Sequence, residues 1–426
     1  MSPRILVQTI MNLLIKNAAQ LVTVSGFNAK RGAEMSRLEI IPDGALAIEN
    51  GLIGKVGTTE EVLAGLDLSS FEVLDAAGKA VLPGFVDPHT HFIFGGYRAD
   101  EFSWRLRGES YLKILEQGGG ILSSVRATRQ ATREELLEKG RKRLDAFLSF
   151  GVTTVEGKSG YGLDHDTEIK QLEIMAELDR THPVDIVSTF LGAHAVPPEY
   201  KGDPDGYVDF LISAVLPDVA SAKLAEFCDV FCEKGVFSVE QSRRLLKAAN
   251  LLGLKAKLHA DEITPLGGAE LAAELGALSA DHLLYASDQG LAAMAEANVV
   301  AVLLPGTAFS LKEPYGRARD MIDQGSAVAL ATDFNPGSCF SESIPLMMAL
   351  AALYMHMTPE EIITAFTLNA AAAIGRAETI GSLDVGKTGD ALVLEFPSYL
   401  YLPYHIGVNS VEKVIKKGRI VFDKTN

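Results

Sequence analysis

Between residues 81 and 334, short apolar or β-branched runs alternate with stretches whose apolar residues recur at helical spacing. The runs are VLPGFVDPHTHF (81–92), TTVEG (153–157), VDIVSTFLGAH (184–194), FCDVFCE (227–233), LKAKLHADE (254–262), LSADHLLYA (278–286), VVAVLLPGT (299–307) and AVALATDF (327–334). Near-continuous apolar runs fit strands buried on both faces, and their alternation with helices implies a parallel sheet. Helical patterns such as SVEQSRRLLKAANLLG (238–253), GGAELAAELGA (267–277) and SDQGLAAMAEAN (287–298) lie between the later runs. Eight such repeats predict an α/β fold, a closed (β/α)8 barrel rather than an open sheet.

The two ends follow another pattern. ALAIENGLIGKVG (45–57) alternates around Asn50-Gly51, a hairpin turn signal, and GDALVLEF (389–396) and VEKVIKKGRIVF (411–422) are strand-like without intervening helices. The expected organisation is therefore a barrel over 81–381 and a small β-sandwich domain built from both termini, residues 1–80 and 382–426. Two helices, 343–357 and 358–375, would join them, the second opened by a capping box of Thr358 and Glu361.

Composition narrows the function. The 426 residues are 47% hydrophobic and 22% charged, an ordinary globular balance with ample material for a core. The net charge of −16, with no Lys/Arg block, argues against a nucleic-acid partner. It also means that an anionic substrate would need a local arginine. Cys228, Cys232 and Cys339 are too few for a disulfide framework, and the C-x3-C pair has no second pair to complete a metal site, so buried reduced thiols are expected. The opening MSPRILVQTIMNLLIKNAAQLV is interrupted by Gln8 and Asn12 and lacks a cleavage pattern; neither a signal peptide nor a membrane span is expected, which points to the cytoplasm. Gly118–Gly120 reads as a mobile loop rather than a phosphate cradle, since no P-loop pattern occurs.

In such a barrel the chemistry belongs at the C-terminal ends of the strands. His89 and His91 close the first run two positions apart, on one side of a strand, where both imidazoles can reach one metal ion. The fifth run ends in His259, with Glu262 three residues later in reach of proton transfer; Asp261 suits a helix N-terminus. The sixth carries His282 after Asp281, where a histidine taken alone is more often a structural hydrogen bonder. The eighth ends in Asp333, which either faces the barrel mouth or caps an Asx-turn. His89, His91, His259 and Asp333 together make an N/O ligand set suited to Zn or Fe, with room for a water made acidic by the metal.

These motifs resemble the amidohydrolase superfamily, and a longer set resembles the imidazolonepropionase family. HFIFGGYRADEFSWRLRGESYLKILEQGGGI, KSGYGLD, TFLGAHAVPPEY, LHADE and TDFNPGS follow that family's order across most of residues 80–340. The resemblance implies a metal-dependent hydrolase that opens the cyclic amide of 4-imidazolone-5-propanoate, giving N-formimidoyl-L-glutamate in histidine degradation. It implies one Zn or Fe per chain on His89, His91, His259 and Asp333, and proton work divided among Glu262, His282 and Asp333. It implies substrate contacts from Arg98, Tyr161, His194, Glu262, Asn335, Gly337 and Ser338, backbone N–H groups of the last loop helping, and a homodimer with a small-molecule substrate and no membrane partner. A nucleobase deaminase of guanine or cytosine type shares the ligand set; a neutral base, however, needs no carboxylate clamp such as Arg98. Two residues depart from the simple picture. Lys158 could be carboxylated and bridge two metals, as in some amidohydrolases, and Gly157 stands where the family has a bulkier residue, which could loosen the strand.

Overall fold

The computed structural model describes residues 12–109 and 119–425. Residues 1–11 of the opening stretch and Gly118 of the glycine run lie outside the described residues.

The eight apolar runs each contain one strand of a parallel sheet laid down in chain order. These barrel strands are Phe85–Thr90 (strand 1), Val152–Lys158 (2), Asp185–Ala193 (3), Phe227–Cys232 (4), Lys255–Ala260 (5), Ser279–His282 (6), Val300–Leu303 (7) and Val328–Leu330 (8). Helices follow them, many opened by side-chain caps. Thr132 with Glu135 and Ser238 with Gln241 form capping boxes, each joining an orphan helix N–H to a side-chain acceptor.

The sheet closes where strand 1 meets the segment after strand 8. Asp333 donates its N–H to the His89 carbonyl at 3.0 Å, and His91 donates to the Phe334 carbonyl at 2.9 Å. Just below, the buried Asp87 carboxylate accepts the Thr332 N–H at 3.1 Å and its hydroxyl at 2.6 Å. The seam that completes the barrel thus sets His89, His91 and Asp333 side by side.

The termini share a second, branched sheet. Asn12–Val22 pairs antiparallel with Ile40–Glu49, which turns back into Leu52–Thr58. Asn50 and Gly51 both have positive φ, +54° and +82°, as the Asn-Gly signal requires. Ala80–Pro83 links the first strand to Ala391–Leu394, and Val411–Lys416 and Arg419–Asp423 complete the sheet. Along the first strand Leu13 and Ile15 enter one core with Ile48, Val81, Val393 and Ile415, whereas Leu14 joins Ala45, Ala47 and Val62. Alternation of period two thus gives this unit its two apolar faces. The Thr358–Glu361 capping box is present. Among the described residues no helix is long and apolar enough to cross a membrane.

On its strand 3 edge Gly157 keeps register, Thr154–Lys158 pairing residue for residue with Asp185–Thr189; on the strand 1 edge the register shifts between Asp87 and Thr90, which pairs with Gly157. A Cβ at Gly157 would lie 2.7 Å from the Phe92 ring and 3.0 Å from the Met175 sulfur, so these two side chains occupy the room a bulkier residue would need. Gly157→Val should therefore cost about 1–3 kcal/mol by overpacking, read as a lower midpoint in denaturant unfolding; an unchanged midpoint would show that the site can repack freely.

Candidate metal centre and active site

The ends of strands 1, 5, 6 and 8 converge on one buried cluster of imidazoles and carboxylates. His89 and His91 bring their Nε2 atoms to 3.3 Å, and Asp333 Oδ1 lies 3.5 Å from the first and 3.6 Å from the second. The His259 ring lies 4.6 Å from that of His89 and 5.5 Å from that of His91. Three overlapping groups have ligand atoms mutually within 4.8 Å: His89, His91 and Asp333; His89, His259 and His282; and His91, His194 and His259. The chain thus has a His/Asp cluster that can hold a metal ion.

The hydrogen bonds behind the rings fit that use. His89 Nδ1 faces Asp281 Oδ2 at 2.6 Å, and His259 Nδ1 faces Asp229 Oδ2 at 3.0 Å. A carboxylate on Nδ1 holds the proton there and leaves the Nε2 lone pair free. His259 Nε2 is buried with no hydrogen-bond partner, the state of a donor atom awaiting a cation. Burial, reinforced by the Lys158 charge, holds His89 far below the usual histidine range, so its ring is neutral, as a ligand must be.

The acids around the cluster are shifted the other way. Asp333 sits in the left-handed region at φ +51° and accepts the Thr307 hydroxyl at 2.5 Å; burial still raises its carboxyl to about 6. Burial, with the neighbouring Asp333, pushes Glu262 up to about 8, so at neutral pH it carries a proton. Glu262 Oε2 lies 3.6 Å from His282 Nε2, and burial keeps that imidazole neutral.

Beneath the imidazoles lies a layer of charge that sequence reasoning missed. Lys158 and Lys257 are fully buried with Glu156, Asp229 and Asp281. Lys158 Nζ contacts Glu156 Oε1 and Asp229 Oδ2 at 2.8 Å each and Asp281 Oδ2 at 3.4 Å; Lys257 Nζ reaches Glu156 Oε2 at 2.8 Å. Burial opposes the Lys158 charge, but Asp229, Glu156 and Asp281 outweigh it and hold the group above the ordinary lysine range. The unmodified ammonium has carboxylate partners of its own here, a structural use that needs no bridging, carboxylated Lys158. The available signal was a charge inside an apolar strand, as with Asp229 in FCDVFC and Lys257 in KAKLHA.

On the substrate side, His194 stacks on His91, ring centroids 5.0 Å apart at 14°, and Tyr161 meets His194 edge-on at 5.4 Å. Glu168 fixes the Tyr161 loop: its carboxylate accepts the N–H groups of Gly160 at 3.0 Å, Gly162 at 2.8 Å and Leu163 at 2.9 Å. Arg98 lies against Gly337 so closely that a Cβ there would fall 1.3 Å from its guanidinium. Its Nε has no partner, and the ion pair with Glu101, at 3.9 Å, is loose. A cavity of about 910 Å³ is lined by Arg98, Gly337 and the aromatic rings of Phe309 and Phe340, but not by the His/Asp cluster, Tyr161 or His194. Asn335 organises the 335–338 loop. Asn335 Oδ1 accepts the N–H groups of Gly337 and Ser338, both at 2.8 Å, while its amide donates to the Asp333 carbonyl at 2.7 Å and Ser338 Oγ at 2.8 Å. Those backbone groups and the Asn335 amide therefore fold the loop upon itself.

Comparison with known proteins decides the family. Models described as "Amidohydrolase family" match residues 72–110 and 240–421. Proteins named imidazolonepropionase are similar over nearly the whole chain: that of Clostridium tetani is 62% identical, covering 97% of this chain and 99% of its own. That of Parabacteroides distasonis is 60% identical, covering 96% and 98%. The chain belongs to the imidazolonepropionase family. Among solved structures, an E. coli guanine deaminase has a TM-score of 0.74 at 14% identity, covering 97% of this chain and all of that one, a likeness of fold alone.

The charge layer makes a direct demand. Lys158→Met leaves three carboxylates facing one another without their shared cation, and should cost about 3–5 kcal/mol in denaturant unfolding. A loss below about 1 kcal/mol, the scale of an exposed pair, would show that the layer is not held by this ammonium.

Proposed function

We propose that the chain hydrolyses 4-imidazolone-5-propanoate to N-formimidoyl-L-glutamate, with one Zn or Fe ion per chain held by His89, His91, His259 and Asp333. Two observations support this reading: the buried His/Asp cluster at the strand ends, and Arg98, a guanidinium with an unpartnered Nε that lies along Gly337 in the loop just after Asp333. Relatives named imidazolonepropionase, similar along nearly the full chain, support it.

When bound, such an ion supplies Lewis acidity toward the ring carbonyl and a lowered pKa for water. The chain's own residues do the rest. Arg98 pairs with the propanoate, the one full charge on the substrate, in a protein of net charge −16. Tyr161 and His194, packed on His91, bound the ring and exclude water, and the Ser338 hydroxyl can donate to the substrate. Asp333 takes a proton from the attacking water as its oxygen bonds to the carbonyl carbon. His282, neutral, hydrogen-bonds the carbonyl oxygen. Glu262, held protonated, delivers its proton to the ring nitrogen as the C–N bond breaks, and is restored by the proton Asp333 took. The cytoplasm and a homodimer go with the family reading on likeness alone. The deaminase alternative is not favoured, because it leaves Arg98 without a use.

Incubation with 4-imidazolone-5-propanoate should give N-formimidoyl-L-glutamate without free ammonia; ammonia release from guanine with no ring-opened product would overturn the reading. Arg98→Ala should raise KM strongly, since loss of one partner of a desolvated charge pair costs about 2–5 kcal/mol; an unchanged KM would remove Arg98 from the clamp. Glu262→Gln should bind metal normally and lose about 10²–10⁴-fold in kcat; full activity would exclude its proton role.

A further inference from the structure

Glu262 stands on a segment that packing does not hold. Glu262 itself is largely enclosed, its side chain 16% exposed, but from Ile263 to Pro265 no side chain is buried, and Ile263 is 60% exposed. Yet the proton role asks for a carboxyl fixed to within a fraction of an ångström. The segment is instead held by polar contacts at both ends. Before it, Asp261 sits at φ +49° and its carboxylate accepts four N–H groups, those of Leu266, Gly267 and Gly268 on Oδ1 and of Ala269 on Oδ2, at 2.9–3.0 Å. Within it, a second buried carboxylate reaches across from the end of strand 4. Glu233, 1% exposed, accepts the Ile263 N–H at 2.9 Å and the Thr264 N–H at 3.2 Å on Oε2, and the Thr264 hydroxyl on Oε1. Glu233 is itself tied down: Oε1 accepts the Lys234 N–H at 2.8 Å, and its backbone exchanges hydrogen bonds with the turn at Val236 and Phe237.

We propose that Glu233 is the positioning residue for Glu262, clamping the Ile263–Thr264 backbone so that the Glu262 carboxyl is presented to the reacting nitrogen. The proposal rests on the proton role given to Glu262 above. It assigns Glu233 no contact with substrate or metal. With the clamp gone, the segment keeps only the Asp261 end, and Glu262 samples positions in which its proton is out of reach.

The test uses the metal-loaded enzyme. Glu233→Ala should retain metal content and leave KM within about twofold, while kcat falls about 10–100-fold, the range for a misplaced catalytic group. Amide hydrogen exchange of Ile263 and Thr264 should accelerate in step. Glu233→Gln, which keeps an acceptor for those N–H groups, should restore part of both. Combined with Glu262→Gln, Glu233→Ala should cost nothing further. Thr264→Val, which removes one donor and leaves Glu233 in place, should give a several-fold smaller kcat even if the alanine variant does not fold. Unchanged kcat in Thr264→Val, losses that multiply in the double variant, or a kcat loss with no faster exchange would each overturn the proposal. Full activity of Glu262→Gln alone would instead sink the proton role of Glu262, and the exchange rates would still report whether Glu233 holds the loop.

Discussion

The site depends on one ammonium. Lys158, fully buried, lies among Glu156, Asp229 and Asp281, and two of those carboxylates also hold imidazoles: Asp229 holds His259 and Asp281 holds His89. Three carboxylates this close could not all stay ionised in a dry interior without cations among them. If they were protonated, neither would keep the Nδ1 proton of its histidine, and the Nε2 lone pairs would no longer point together. Lys257, on Glu156, extends the compensation to strand 5. The layer therefore converts strand register into the ring orientation that a metal requires.

The loops above the layer are built by a repeated device: one buried acceptor side chain collects backbone N–H groups at the turn beyond a strand end. Glu168 does this for the turn bearing Tyr161, Asp261 and Glu233 for the segment bearing Glu262, and Asn335 for its own loop; Asp87 does it for the strand 8 end that leads to Asp333. Each such group satisfies donors that would otherwise be costly to bury. The outcome is a proposed active site carried on loops yet tied to the strands, with the Glu262 carboxyl raised to about 8 by burial.

Much of this was legible because local pattern and barrel geometry coincide. The eight apolar runs became eight strands, and His89, His91, His259, His282 and Asp333 stood where a strand end must face the mouth. What was not legible depends on partners far apart in the chain. Lys158 invites a bridging role until Asp229 and Asp281, more than 70 residues away, are seen to hold it. Glu233 is an ordinary acid in FCEKG until Ile263 and Thr264 arrive beside it. Asn335 reads only as part of the NPGS stretch until the fold shows its amide bridging Asp333, Gly337 and Ser338. Gly157 looks like a weakness until Phe92 and Met175 fill its place.

The central claim is that the His89, His91, His259 and Asp333 cluster is the single metal centre on which ring opening depends. Its most direct test is to strip the protein with a chelator, add back Zn or Fe in substoichiometric steps, and follow ultraviolet loss of 4-imidazolone-5-propanoate against metal bound per chain. The account predicts that the rate rises linearly and levels off at one ion per chain. Ring opening at full rate in the stripped protein, or a plateau reached only at two ions, would contradict it.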